Sequence, residues 1–387
     1  MIGTTQPSPA TIRVQPRIPP VYLEYAWYVS LAYATVGQAW GISIPVVGGG
    51  LLVILAATCV YNVGDRVFQV YEPAGWALCT GISVIAINYV FYDEQALAGT
   101  WIFFTWICNL AIVQVLILRP AFLQRFALAA FAIGLVGLPL ISVRNVGGIM
   151  RAWGAGLLAN PNVLGMWFGF CALFFIFWGL QSRRTMERAI SWVAAVGALY
   201  VVLISVSRGA LLGIVLACVM GLRSTLKQHF VPFLSVVLVF SVVYASGVFD
   251  PLIDQFVTRG AKESGRERLW AMGLPRVLDS PWIGVGEGDI RMPLSGGRYT
   301  TPHNGLLHLA LAAGIGPLIC FLIYLFRVGV GTLRMMQKQS CVEDVLLPPL
   351  VAFGIFQIMV SDYHFMYAWG VVAFALATVK RVSLPSV

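Results

Sequence analysis

Residues 160–180 read NPNVLGMWFGFCALFFIFWGL. None of them carries a charge, and a helix of that length rises about 30 Å, the thickness of a bilayer core. Comparable stretches recur along the 387-residue chain, at about 22–40, 43–63, 74–92, 98–118, 122–141, 189–205, 208–222, 230–248, 303–326, 345–361 and 364–380. The composition agrees with this pattern. It is 59% hydrophobic and only 11% charged, with mean hydropathy +0.83, whereas soluble domains carry about 25% charged residues. Backbone groups in hydrocarbon must bond internally, and the short alternating segments of a β-barrel are missing. The expected fold is therefore an all-α polytopic membrane protein with about 12 transmembrane helices.

Orientation follows from the cations between spans. With the N-terminus in the cytoplasm, every inside connection holds at least one lysine or arginine, among them Arg66, Arg119, Arg183, Arg223, Arg327, Arg334 and Lys380. Residues 1–20 hold Arg13 and Arg17 but no apolar core of a signal peptide, and read as a cytoplasmic tail. Residues 381–387 read as a second cytoplasmic tail. Spans one to nine occupy 21–248 and the last three 303–380.

Between them, 249–302 is the one long outer loop. Its seven cations (Arg259, Lys262, Arg266, Arg268, Arg276, Arg291, Arg298) are balanced by seven acids, so it is no nucleic-acid patch. Leu269, Trp270, Leu274, Val277, Leu278 and Trp282 make it too apolar for disorder. Residues 266–279 are expected to form an amphipathic helix at the membrane surface, bent near Pro275. A second outer connection, 142–159, carries Arg144 and Arg151.

Three constellations on this outer face could carry chemistry, two of them suited to an oxyanion. In Ser205-Val206-Ser207-Arg208-Gly209-Ala210, Ser207 reads as an N-cap and Arg208 as the first helical residue. An arginine set against the positive end of a helix, beside serine hydroxyls and bare amides, fits phosphate. The bland alternative is an arginine snorkelling to headgroups. In Gly265-Arg266-Glu267-Arg268-Leu269-Trp270, Arg266 and Trp270 share a helix face while Arg268 points elsewhere. The planar fork of arginine grips phosphate oxygens in pairs; the alternative is ion pairing with Glu263 and Glu267. In Thr300-Thr301-Pro302-His303-Asn304-Gly305, Thr301 as N-cap and Pro302 as first residue would start a helix at the surface. His303 there would be a neutral imidazole able to take a proton from a hydroxyl, or an interfacial histidine with a structural hydrogen bond. Pro281-Trp282-Ile283-Gly284-Val285-Gly286-Glu287-Gly288 lacks the βαβ setting of a nucleotide loop and reads as a tight return to the membrane. His308 reads as structural.

No DxD, HExxH or acidic metal cluster is present, so neither metal nor cofactor is expected. The spans show almost no buried acids, Asp362 with His364 being the nearest case, which argues against a proton-coupled transporter. The seven cysteines lie in or beside apolar segments or in a basic loop, so no disulfide framework is expected.

SxSRGA opening one helix, GRxRxW in a large outer loop, then PWxGVGxG and HNGLLHLALAAGIGP, all within about 200–325, resemble the O-antigen ligase and polymerase superfamily. The resemblance implies a membrane glycosyltransferase of the GT-C type in the bacterial inner membrane, working at its periplasmic face. It implies a glycan donor on undecaprenyl diphosphate, a metal-independent inverting displacement and, for a ligase, lipid A–core as acceptor. The family's arginines fall on Arg208 and Arg266 and its histidine on His303. Arg291, Arg144, Arg151, Arg268, Ser207, Asn304 and Trp270 are the further candidates for contact with diphosphate or sugar. Many polymerases of the family have two large outer loops and an arginine with glycine eleven residues on. Here one outer loop is long, and no outer arginine has that glycine, which favours a ligase over a polymerase. A lipid-linked sugar flippase is the rival from another class.

Overall fold

The computed structural model describes residues 18–36, 49–50, 52–57, 72–146, 148–154, 156–222, 254–257, 265–293, 299–338, 341–361 and 368–378. The expected span at 230–248, most of that at 43–63, Arg298, and the Asp362–His364 pair lie outside them. In chain order the helices are α1 (Val21–Val36), α2 (Glu72–Phe91), α3 (Glu94–Gly99), α4 (Trp101–Leu116), α5 (Phe122–Gly137), α6 (Pro161–Gln181), α7 (Thr185–Ile204), α8 (Arg208–Leu222), α9 (Arg266–Asp279), α10 (Gly305–Ala313), α11 (Ile315–Lys338), α12 (Val342–Val360) and α13 (Trp369–Thr378). Among the described residues, seven helical segments are long and apolar enough to cross a membrane. The protein is an all-α polytopic membrane protein in its spans.

The opening stretch forms α6, the centre of the bundle. Asn160 caps it, its side chain accepting from Asn162 N at 2.8 Å, and Pro161 takes the first turn, where no backbone donor is needed. A helix apolar on all sides belongs inside, and 83% of α6 is buried against 28% of its antiparallel neighbour α7. Phe170 stacks on Trp369 of α13 with ring centroids 5.5 Å apart and meets Phe353 of α12 edge-on at 4.7 Å.

Four expectations need correction. The span expected at 303–326 is broken at Gly314 (φ +81). Its first part, α10, has nine residues and rises only about 14 Å, too short to cross. The crossing helix is α11, shifted twelve residues along, so Arg327 and Arg334 lie within it. The break is held by the PWIGVGEG loop. Val285 N donates to Leu311 O at 2.6 Å, and Ile315 N to Pro281 O at 2.8 Å. Irregular backbone is tolerated in a membrane protein only when buried in protein like this. A Cβ at Gly314 would stand 2.4 Å from the Trp282 carbonyl, so only glycine fits.

Second, the helix after His303 is capped by Asn304, not Thr301. Asn304 Oδ1 accepts from Leu306 N at 3.0 Å and Leu307 N at 3.1 Å, and asparagine outranks threonine as a cap. Third, the chain is not purely helical. The 142–159 connection contains an antiparallel hairpin, β1 (Ser142–Val146) with β2 (Ile149–Trp153), and β3 (Met292–Pro293) pairs with β4 (Tyr299–Thr300). Fourth, a buried acid does exist. Glu24 of α1 is 1% exposed and bonds Arg119 and Arg125, each at 2.6 Å, with Tyr28 Oη donating at 2.6 Å. Its charge is neutralised by residues about a hundred positions away, which reading one span does not reveal. This cluster and the β1–β2 hairpin lie at opposite ends of α5.

The amphipathic helix expected at 266–279 is α9, with Pro275 inside. Leu269, Gly273 and Val277 are buried, the apolar pair joining Met292, Leu307 and Leu311, while Leu274 and Leu278 stay exposed.

Candidate active site

The chain turns sharply between α7 and α8. Ser205 Oγ donates to Val202 O at 2.7 Å, closing α7, and Val206 adopts φ 48. A β-branched residue in the left-handed region costs on the order of 1–3 kcal/mol and persists only where surrounding structure enforces it. Here α6 does so. Its Gly165 lies so close that an added Cβ would stand 2.6 Å from Ser205 Oγ and 2.7 Å from Ser207 Cβ. Ser207 Oγ then accepts from Ala210 N at 3.4 Å and caps α8, as its sequence position suggested. Arg208 is the first helical residue, half-buried at the positive end of α8.

Arg151 of β2 reaches the same turn. Its Nε donates to Ser205 O at 3.1 Å, and its Nη2 to Asn162 Oδ1 at 3.1 Å. Asn162 Oδ1 is also 3.5 Å from Ser207 Oγ. The N-termini of α6 and α8 thus meet at one point with Arg151 between them. Burial, and then the Arg208 charge, push Arg151 down to about 10. Among the described residues no carboxylate pairs with Arg151 or Arg208. Arg144 stands directly across from Arg151 in the hairpin, exposed, with its guanidinium 5.8 Å over the Trp153 ring. Two guanidinium groups held beside two positive helix ends are an arrangement that suits an anion.

His303 lies just before the Asn304 cap, with φ 50. Its Nε2 is 3.2 Å from Thr300 Oγ1, a contact that fixes the ring in either tautomer. The segment is pinned from α9, where Trp270 Nε1 donates to Pro302 O at 2.9 Å. Arg266 begins α9 one turn before Trp270, after Gly265 (φ 68).

The two halves meet at the end of α12. Gln357 Nε2 donates to Gly209 O at 3.0 Å. A Cβ at Gly209 would lie 3.3 Å from Val360 Cγ2, and one at Gly305 3.2 Å from Ile358 O. Gly209, next to Arg208, and Gly305, two residues after His303, both pack on the last turn of α12, so Arg208 and His303 lie at the same end of the bundle. Arg266 lies one helical turn before Trp270, whose indole bonds the residue preceding His303.

The other candidates divide. Ser207 and Asn304 are caps. Trp270 is a strut, its N–H engaged and its ring against the α9–α10 apolar cluster. Arg268 and Arg291 are exposed, and no contact among the described residues draws either toward Arg208. Asn162 and Thr300 were missed. The Asn-Pro-Asn start of α6 hinted at the cap but not at the partner in β2.

Residues 193–322 match the family model for O-antigen ligase, a stretch that includes Arg208, Arg266, the PWIGVGEG loop and His303. No curated protein matches the chain. Members of that family are glycosyltransferase-like membrane enzymes, and this segment is what the chain shares with the O-antigen ligase superfamily.

Proposed function

We propose that the protein is an O-antigen ligase. It transfers a glycan from undecaprenyl diphosphate to the lipid A–core oligosaccharide at the periplasmic face of the bacterial inner membrane. The observation that carries this reading is the pair Arg151–Arg208, held without a carboxylate partner among the described residues where α6 and α8 begin, with His303 at the same end of the bundle.

The reaction has two ends. A hydroxyl oxygen of the core sugar attacks C1 of the donor glycan, and His303 takes the hydroxyl proton. The bond from C1 to the phosphate oxygen breaks, C1 inverts, and its electron pair leaves on the diphosphate. The growing charge falls on Arg208 and Arg151, on the amides of the two helix starts, and on Arg144 and Arg266 at the rim. Preorganised donors of this kind are each worth about 2.7–4 kcal/mol of barrier. To reach His303 Nε2, the acceptor hydroxyl would take the place of Thr300 Oγ1, which lies 3.2 Å from that nitrogen.

The test is reconstitution. Purified protein receives lipid-linked glycan and lipid A–core with EDTA present. Glycan on the core supports the ligase. Longer chains that stay on the lipid carrier would instead assign a polymerase, and intact donor moved across a vesicle without a new glycosidic bond a flippase.

A further inference from the structure

We propose that Glu287 and His308 are a positioning pair. They fix the acceptor-side histidine, His303, without touching the donor-side arginines. The inference rests on the transferase reading above and adds two residues to it.

His308 is fully buried and Glu287 nearly so. His308 Nε2 lies 2.9 and 3.1 Å from the two carboxylate oxygens of Glu287. The pair sits in a network spanning three elements. Glu287 N donates to Asn88 Oδ1 of α2 at 2.8 Å, and Asn88 Nδ2 donates to Ala312 O at the end of α10 at 3.0 Å. The Glu287 side chain lies against Gly99 at the end of α3, where an added Cβ would stand 2.3 Å from Glu287 Cγ. The PWIGVGEG loop is thereby clamped between α2, α3 and α10.

Stability alone does not call for this chemistry. An apolar pair of similar volume serves a buried site as well or better, because two polar groups must be stripped of water. What the polar pair adds is direction, since Nε2 meets the carboxylate in only one rotation of α10 about its axis. That rotation reaches His303. His308 N donates to Asn304 O at 2.9 Å, closing the first turn, and Asn304 caps the helix directly after His303. Among the described residues no hydrogen bond joins Arg151 or Arg208 to this network; Arg151 bonds Ser205 O and Asn162 Oδ1.

The experiment compares wild type with the apolar double variant Glu287→Leu/His308→Leu and the conservative Glu287→Gln. Donor binding, turnover and melting temperature are measured on each. The double variant should melt no lower than wild type and bind undecaprenyl-diphosphate-linked glycan within about twofold. Its kcat should fall on the order of 10²-fold, the cost of misplacing a reacting group by about 1 Å. Glu287→Gln keeps an acceptor for His308 and should retain most of the turnover. Full turnover in the double variant overturns the pair alone, as does parallel loss of donor binding, which marks a general structural role. A wild type that forms no product overturns the transferase reading itself.

Discussion

Gly165→Ala puts one methyl group between α6 and the turn that launches Arg208. In the native packing that methyl would stand 2.6 Å from Ser205 Oγ and 2.7 Å from Ser207 Cβ, where ordinary contact begins at 3.4 Å. The turn must retreat by about 0.7–0.8 Å, or α6 must tilt. Ser205 O, which anchors Arg151, and Ser207, which caps α8, move together. Overpacking of this kind costs about 1–3 kcal/mol, offset in part by the up to about 1 kcal/mol that alanine gains over glycine in a helix. The fold should survive. Catalysis should not, because a 1 Å misplacement costs on the order of 10²-fold; at about 0.7–0.8 Å the expected loss is roughly 10- to 100-fold in turnover. The control is Gly197→Ala in α7, where an added Cβ meets nothing within 4 Å; turnover there should be unchanged. The assay is glycan transfer by purified, monodisperse protein, normalised to the folded fraction by thermal melting. Gly165→Ala with wild-type turnover would refute the reasoning that the turn's position governs the arginines.

Other consequences are cheaper to check. Inorganic pyrophosphate at about ten times its dissociation constant should stabilise wild type by about 1.4 kcal/mol and leave the melting temperatures of Arg208→Ala and Arg151→Ala unmoved. Because Arg151 is lowered to about 10, it is charged at neutral pH; pyrophosphate affinity should hold from pH 7 to 8 and weaken as pH rises through about 10. Trp270→Phe keeps the ring but loses the bond to Pro302 O, worth about 1 kcal/mol; turnover should fall about fivefold with donor binding intact. Glu24→Gln leaves Arg119 and Arg125 without their carboxylate and should cost about 3 kcal/mol or more of stability, seen in melting, while the protein that folds retains its turnover.

What the sequence revealed and what it hid have physical causes. A fully apolar run such as α6 has one consistent fate, so its span was legible. So was the Ser207 cap, because a cap is set by its own residue and the three that follow. The amphipathic character of α9 was legible, but not its inner face: of the apolar residues that marked it, Leu269 and Val277 turn inward while Leu274 and Leu278 stay exposed. The break at Gly314 was not legible, since HLALAAGIGP is continuously apolar and its interruption depends on Pro281 and Val285, some thirty positions upstream. The same holds for Glu24 with Arg125, and for Arg151 with Ser205: each partner is meaningful only once the chain has brought it home. His308 read only as structural because its partner, Glu287, lies 21 positions upstream.

The central claim is that the donor's diphosphate lies between Arg151 and Arg208, with His303 facing the sugar it leaves. A structure determined with undecaprenyl-diphosphate-linked glycan bound tests it most directly. The account predicts diphosphate oxygens within hydrogen-bond distance of both guanidinium groups, at the start of α6 and α8, and sugar C1 between them and His303. Diphosphate seated on Arg268 or Arg291, or at the Glu24 end of the bundle, would contradict it.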